Sequence, residues 1–256
     1  MPIQMLVTDL DNTLLRGDKT ISGYTASVFR RCRERGMKIV FATARPERNT
    51  AQFARDIQTD AVISDNGARV SADGRAILQR DIPPASVARI VEALLPLEGI
   101  RLHLNYGNIS FTNHETWQSW GGWGVEYSDF SQYDPCGVRK IAIEAQDISL
   151  LRYVDFDALG CHFTGNQGEK WVLVTANSAT KANAVAAAAA HFGIPLSDAA
   201  AFGDDQNDVE MLRLCGAGVA VANAIDEARA AADCICGSNE DDGPAKWIEA
   251  YLLPFS

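Results

Sequence analysis

The sequence predicts an α/β fold, a parallel-sheet core interrupted by an α+β module. Three observations carry that expectation. Short, continuously apolar runs alternate with amphipathic helical stretches towards both ends of the chain, the pattern of strand–helix–strand units with right-handed crossovers. In the middle, closely spaced strand patterns follow one another through hairpin turns instead. Charged and hydroxylic residues recur directly after the apolar runs, at the strand ends where open α/β sheets bind ligands.

In chain order, "IQMLVTD" is a continuous apolar run, as a strand covered on both faces requires. Ser22 is placed to cap a helix through "GYTASVFRRCRER", and Gly36 stands where a glycine stop belongs. "MKIVFAT" reads as a second buried strand, Pro46 opens a helix to about Ile57, and "DAVISDNG" supplies a third strand. "ARVSADGRAILQ" is a hairpin turning at Asp73-Gly74. The pattern then changes. "PPASVARIVEALLP" is an amphipathic helix and "RLHLNYGNISFT" a hairpin around Gly107-Asn108. "VRKIAIEA", "GCHFTG" and "KWVLVT" are further strands, with a helix near "DISLLRYV". From "SATKANAVAAAAAHFGI" the strand–helix alternation returns, through "AAAFGD", "DQNDVEMLRLC", "GAGVAVA" and "AIDEARAAA", and closes with "GPAKWIEAYLL". The expected domains are a core of residues 1–81 and 176–256 and an insert of residues 82–175.

The 256 residues suffice for one large domain or two unequal ones, and 47% apolar content supports a substantial core. A net charge of −10 argues against a nucleic-acid partner, which would need a basic face. No apolar run approaches the ~20 residues of a membrane span, and "MPIQMLVTDL" lacks the basic flank of an export signal. A cytoplasmic protein without membrane partners is expected, a monomer or a weak homo-oligomer. The six scattered cysteines fit reduced thiols.

The strand ends hold the chemistry. Asp9 and Asp11 follow the first strand, Thr43 and Arg45 the second, Asp65 and Asn66 the third. Asp204, Asp205, Asn207 and Asp208 follow "AAAFG", and Thr180 and Lys181 precede the alanine-rich helix. Each has an ordinary structural use: an aspartate in a turn, a lysine at a solvated helix start, an acidic helix N-terminus. Their order, each at a strand end or helix start, places them on one rim instead. Like charges held together cost free energy unless something positive lies between them. Clustered carboxylates want a hard divalent cation, most simply Mg²⁺. The lysine, the hydroxyl and the loop N–H groups want an anion such as phosphate.

"DLDNTLL", "ATARP", "ATKANAV" and "GDDQNDVEML" resemble the four motifs of the haloacid dehalogenase (HAD) superfamily. "ISDNGARV", "VAVANA", "AAD" and "NEDDGPAKWI" resemble its Cof-type sugar-phosphatase branch. The resemblance implies a Rossmann-like core with an inserted cap that selects substrate. It also implies a Mg²⁺-dependent phosphatase of small phosphorylated metabolites, sugar phosphates in particular, working through an aspartyl-phosphate. In that scheme Asp9 attacks phosphorus and Asp11 carries the proton. Asp9, the backbone carbonyl of Asp11, Asp204 and Asp208 hold the metal. Thr43, Lys181, Asn207 and the N–H groups of Leu10 and Ala44 hold the phosphoryl oxygens. Asn12 and Ala44 stand where the family usually has glycine. Asparagine tolerates left-handed backbone angles; alanine resists them. Two other readings fit the same motifs: a phosphotransferase or mutase of this superfamily, and a non-catalytic phosphate-binding regulatory protein.

Within the insert, Trp117, Trp120 and Trp123 recur every third residue, along one side of a helical turn. They form either cap core or an aromatic wall over a sugar ring. Arg45 is a further candidate for substrate contact. The spacing of His103, His114 and His162 resembles no metal site.

Overall fold

The computed structural model describes residues 3–116, 124–165 and 170–253; Trp117, Trp120 and Trp123 lie outside them. The chain divides into two compact units, one of Met1–Arg45, Thr50–Leu78 and Thr180–Ser256, the other of Pro46–Asn49 and Gln79–Ala179. In chain order the strands begin with β1 (Met5–Thr8), β2 (Lys38–Ala42), β3 (Ala61–Ser64), β4 (Arg69–Ala72) and β5 (Arg75–Gln79). They continue with β6 (Ile100–Asn105), β7 (Ser110–Thr112), β8 (Val125–Tyr127), β9 (Lys140–Ala145), β10 (Cys161–Thr164) and β11 (Trp171–Ala176). They end with β12 (Ala199–Gly203), β13 (Ala217–Ala220) and β14 (Cys234–Ile235). The helices are α1 (Gly23–Glu34), α2 (Ala51–Ile57), α3 (Pro84–Leu94), α4 (Lys181–Phe192), α5 (Val209–Leu214), α6 (Asp226–Ala231) and α7 (Gly243–Leu252).

The first unit is built on a sheet of order β14-β13-β12-β1-β2-β3-β4-β5. Neighbours from β14 to β3 run parallel, and β4 returns antiparallel to β3. Successive residues of β1 feed opposite layers. Met5 and Val7 pack among Val185 and Ala188 of α4 and Met211 of α5. Leu6 packs among Val28 and Phe29 of α1 and Ile248 of α7. Burial on both faces is the reason this strand shows no polar alternation. Ser22 caps α1 by accepting from the Thr25 N–H at 3.0 Å, and Gly36, at φ +81°, ends it. Asp73 and Gly74 both take positive φ in the β4–β5 turn, as a tight hairpin requires.

The second unit is a sheet of order β10-β11-β9-β6-β7-β8 backed by α3. All neighbours pair antiparallel except β8, which lies parallel to β7. Leu102, Leu104, Ile141, Ile143, Val172 and Val174 bury against Val87, Ile90 and Leu94 of α3. Strand alternation therefore sends His103, Lys140, Trp171 and Leu173 to the opposite face.

Two helices predicted from sequence take other forms. The stretch from Pro46 to Ile57 is broken: Glu47–Asn49 form a 3₁₀ turn before α2. Arg48 holds that turn within the second unit by donating to the Gly107 carbonyl and, at 3.1 Å, to Ser110 Oγ. "DISLLRYV" forms a 3₁₀ helix, Ile148–Tyr153, whose first turn Asp147 reshapes by accepting from the Ser149 N–H at 2.9 Å. Among the described residues no helix is long and apolar enough to cross a membrane.

Candidate active site

The carboxyl ends of β1, β2, β3 and β12 converge in the first unit. Asp9 follows β1 and is 6% exposed. Its N–H donates to the Phe202 carbonyl at 3.0 Å, which ties the end of β1 to β12. The chain then turns at Asn12, at φ 59° and ψ 3°, a conformation asparagine tolerates. Two distant asparagines hold this loop: Asn223 Nδ2 donates to the Asn12 carbonyl at 2.7 Å and Asn239 Nδ2 to the Leu15 carbonyl at 2.9 Å. From inside it, Thr13 Oγ1 donates to Asp204 Oδ1 at 2.6 Å. The loops after β2 and β3 are joined as well, Asp65 N–H to the Arg45 carbonyl at 2.9 Å and Asn66 N–H to the Thr43 carbonyl at 3.1 Å. Thr43 is buried, and its hydroxyl accepts from the Arg45 N–H at 3.1 Å.

Lys181 is the first residue of α4, directly after the cap Thr180, whose hydroxyl accepts from the Asn183 N–H at 3.1 Å. The buried Lys181 ammonium donates to Asp9 Oδ1 and to Asp208 Oδ1, each at 2.7 Å. Gly67 permits this placement. It sits at φ +97°, and a Cβ there would lie 2.2 Å from the Thr180 carbonyl oxygen, so only glycine lets the β3 loop touch the helix start. Asp208 Oδ2 accepts from the N–H groups of Asp204 and Asp205 at 3.0 and 3.1 Å. Asn207 Nδ2 donates to Asn66 Oδ1 at 2.8 Å.

Asp9, Asp204 and Asp208 are buried and each offers an oxygen within 4.8 Å of the others. Burial raises the Asp9 carboxyl well above its ordinary range; Lys181 opposes the rise, and Asp208 and Asp204 add to it. Burial likewise lifts Asp204 to about 6, against the Thr13 hydrogen bond and with help from Asp208. Burial alone would depress the Lys181 ammonium, but Asp208 and Asp9 outweigh it and raise its pKa. The cluster is short of positive charge, and its hard, close-set oxygens fit a divalent cation such as Mg²⁺.

Asp11 behaves differently. Its carboxylate pairs with Arg45 and with Lys19, the latter at 2.8 Å. Burial pushes Asp11 up, but the bonds from Arg45 and Lys19 outweigh it and bring its pKa to about 2. Arg45, a candidate for substrate contact, thus lies against the expected proton carrier. Leu10 and Ala44 directly follow Asp9 and Thr43, and Ala44 is not among the residues at positive φ. Its backbone therefore makes no demand for the glycine usual there. Sequence reasoning placed Asn66 on the rim but passed over Thr13, Lys19, Asn223 and Asn239 as side chains that orient the site. Thr13, Asn223 and Asn239 lie inside the motifs already noted, which is a usable signal; nothing local marks Lys19.

A family model described as haloacid dehalogenase-like hydrolase matches residues 6–248. The 5-amino-6-(5-phospho-D-ribitylamino)uracil phosphatase YitU of Bacillus subtilis is 26% identical, across 97% of this chain and 97% of its own. An HMP-PP phosphatase of Escherichia coli O8 is 30% identical, across 87% of this chain and 85% of its own. Among solved structures, a HAD subclass IIB sugar phosphatase superimposes with a TM-score of 0.84 at 23% identity, over 98% of this chain and 100% of that one. A haloacid dehalogenase-like hydrolase from Bacteroides thetaiotaomicron gives 0.84 at 22% identity, over 97% and 99%. With its parallel sheet, its acidic strand ends and a match along nearly its whole length, this chain belongs to the haloacid dehalogenase-like hydrolase family and is an enzyme of its phosphatase kind.

Proposed function

We propose that this protein is a Mg²⁺-dependent phosphatase that hydrolyses small phosphorylated metabolites, sugar phosphates foremost, through an aspartyl-phosphate on Asp9. One observation carries the reading: a single buried ammonium, Lys181, bridges Asp9 and Asp208 beside Asp204. Such a cluster has a nucleophile, a phosphoryl counter-charge and a cation's donor set within one small volume. The relatives named above support it, since both are phosphatases of small phosphorylated molecules by name.

Asp9, Asp204, Asp208 and the Asp11 carbonyl would hold Mg²⁺, which when bound supplies positive charge against the charge developing on phosphorus. A carboxylate oxygen of Asp9 forms the new bond to phosphorus as the bond to the leaving oxygen breaks. Asp11 gives its proton to that oxygen. The Asp11 carboxylate then takes a proton from water, whose oxygen attacks phosphorus, and the Asp9–phosphorus bond breaks to release inorganic phosphate. Lys181, Thr43, Asn207 and the N–H groups of Leu10 and Ala44 stabilise the phosphoryl oxygens. The insert, near residues 82–175, acts as the cap that chooses the leaving group. Turnover of p-nitrophenyl phosphate tests the reading. It is expected with Mg²⁺, absent with EDTA, and restored by excess Mg²⁺; full turnover in chelated buffer would rule out the metal.

A further inference from the structure

We propose that Asn66 is a positioning residue for phosphate: it holds the Asn207 amide so that the amide's other hydrogen is aimed at the phosphoryl oxygens. This deepens, and rests on, the phosphatase reading above, and adds to it a residue that acts through another.

Three consecutive residues after β3 take positive φ: Asp65 at 51°, Asn66 at 60° and Gly67 at 97°. Such a run is disfavoured for L-residues and persists where its surroundings fix it, as often happens beside functional sites. This turn reaches three other segments of its own compact unit. The Asn66 N–H donates to the Thr43 carbonyl at 3.1 Å, and Asn66 Oδ1 accepts from Asn207 Nδ2 at 2.8 Å. Gly67 lies against the Thr180–Lys181 peptide. Thr43, Asn207 and Lys181 are the three side chains given to the phosphoryl oxygens above. One turn thus touches the residues that carry all three.

For Thr43 and Lys181 the turn meets backbone, but for Asn207 it meets the side chain. The Asn207 backbone is fixed without help, because it lies in the 3₁₀ turn Gln206–Asp208, which Asp205 and Asp208 close with a capping box. Its side-chain bonds could still turn between rotamers. An amide nitrogen carries two hydrogens in one plane. With one of them taken up by Asn66, the direction of the other is set. Asn207 Oδ1 is buried and has no hydrogen-bond partner among the described residues. A buried acceptor left open is uncommon. The protein therefore uses only part of this amide and leaves the rest for what enters the site. Without Asn66 the amide would have to be ordered when the anion binds, at a cost in affinity.

The residue type fits the task. Asn66 is 2% exposed, tolerates the left-handed backbone and offers a neutral acceptor. Aspartate would tolerate the same backbone and accept the same bond, but it would set a buried negative charge near the phosphate.

Asn66→Gly tests the proposal. Glycine takes the left-handed backbone without strain and keeps the N–H to Thr43, so only the side chain is lost. kcat/KM for p-nitrophenyl phosphate is expected to fall ~10-fold, and inhibition by inorganic phosphate to weaken by a similar factor. In an Asn207→Ala background the same change should cost less than ~2-fold, because the group it acts through is gone. Parent-like kcat/KM in Asn66→Gly, or an equal loss in both backgrounds, would overturn the proposal and leave the phosphatase reading standing. If Asn66→Gly does not fold, nitrogen-15 NMR of the parent decides, with the Asn207 amide identified by its loss in Asn207→Ala. One amide hydrogen protected from exchange and the other shifted by inorganic phosphate supports the proposal; either behaving otherwise overturns it. If the parent does not turn over p-nitrophenyl phosphate, the phosphatase reading fails by itself. Calorimetric titration with inorganic phosphate and Mg²⁺ then decides for Asn66: binding weakened ~10-fold by Asn66→Gly in the parent but not in Asn207→Ala supports it, and any other result sinks it.

Discussion

Two hydrogen bonds join Arg45 to Asp11: Nε donates to Oδ2 at 2.6 Å and Nη2 to Oδ1 at 2.7 Å. The planar guanidinium matches the carboxylate edge, and both bonds are charge-assisted. The proton carrier of the proposed cycle is therefore held ionised, fit to accept a proton from water but not to give one. Giving one requires that Asp11 leave this fork. Arg45→Gln is expected to raise the Asp11 pKa from about 2 towards the ordinary 3.8, by ~1 unit or more. Carbon-13 NMR of labelled aspartate carboxyls, assigned with Asp11→Asn, measures it. An unmoved titration would mean that Lys19 alone sets the value.

Asp9→Asn nearly preserves shape and removes the nucleophile. A loss of at least ~10³ in kcat is expected, roughly 4 kcal/mol, with an unchanged circular dichroism spectrum. Activity within tenfold of the parent would place the attacking group elsewhere.

Lys181→Met leaves Asp9 and Asp208 buried without their shared ammonium. A stability loss of ~3–5 kcal/mol is expected in EDTA, as for other broken buried pairs, and Mg²⁺ should recover part of it. Urea denaturation with and without the metal reads both effects. A midpoint equal to the parent's in EDTA would show that the two carboxylates do not need this cation.

Gly67→Ala forces a Cβ to 2.2 Å from the Thr180 carbonyl oxygen at a φ of +97°. The helix start must retreat and carry Lys181 with it. Loss of a few kcal/mol in stability is expected, ~1–3 from the backbone strain alone, together with a fall in kcat. A variant as stable and active as the parent would show that the loop yields instead.

His103 makes stability depend on pH. Its pKa is about 4 in the folded chain against 6.5 ordinarily. Between those values the unfolded chain binds a proton that the folded chain refuses, so stability falls as pH drops from 6.5 to 4 and levels off below. The effect is on the order of 2–3 kcal/mol across the window. In His103→Gln this component is absent, so the parent's advantage over the variant should shrink between pH 7 and 4.5. Guanidinium denaturation at the two pH values checks it; a constant difference would remove His103 as the cause.

The parallel core was legible because β1, β2 and β12 are buried on both faces and so read as unbroken apolar runs. Asp9, Lys181, Asp204 and Asp208 were legible as a set because each ends a strand or begins a helical turn. The Arg45–Asp11 fork was not, since it depends on side-chain conformations rather than spacing. Lys19 reaches Asp11 through a loop with no motif. The 3₁₀ turn at Glu47–Asn49 depends on the distant Gly107 and Ser110 partners of Arg48, which local pattern cannot report. The parallel β7–β8 pairing rests on strands too short to show a period.

Lys181 also bears on the order in which the molecule is assembled. Small domains nucleated by a metal stay unfolded until the ion arrives. Here the chain brings its own ammonium into the acidic cluster, bonded to Asp9 and Asp208. The scaffold can therefore be completed before any ion binds. If turnover requires Mg²⁺ as proposed, scarcity of the ion would idle the enzyme without unravelling it, and a dormant pool could return to work without new synthesis.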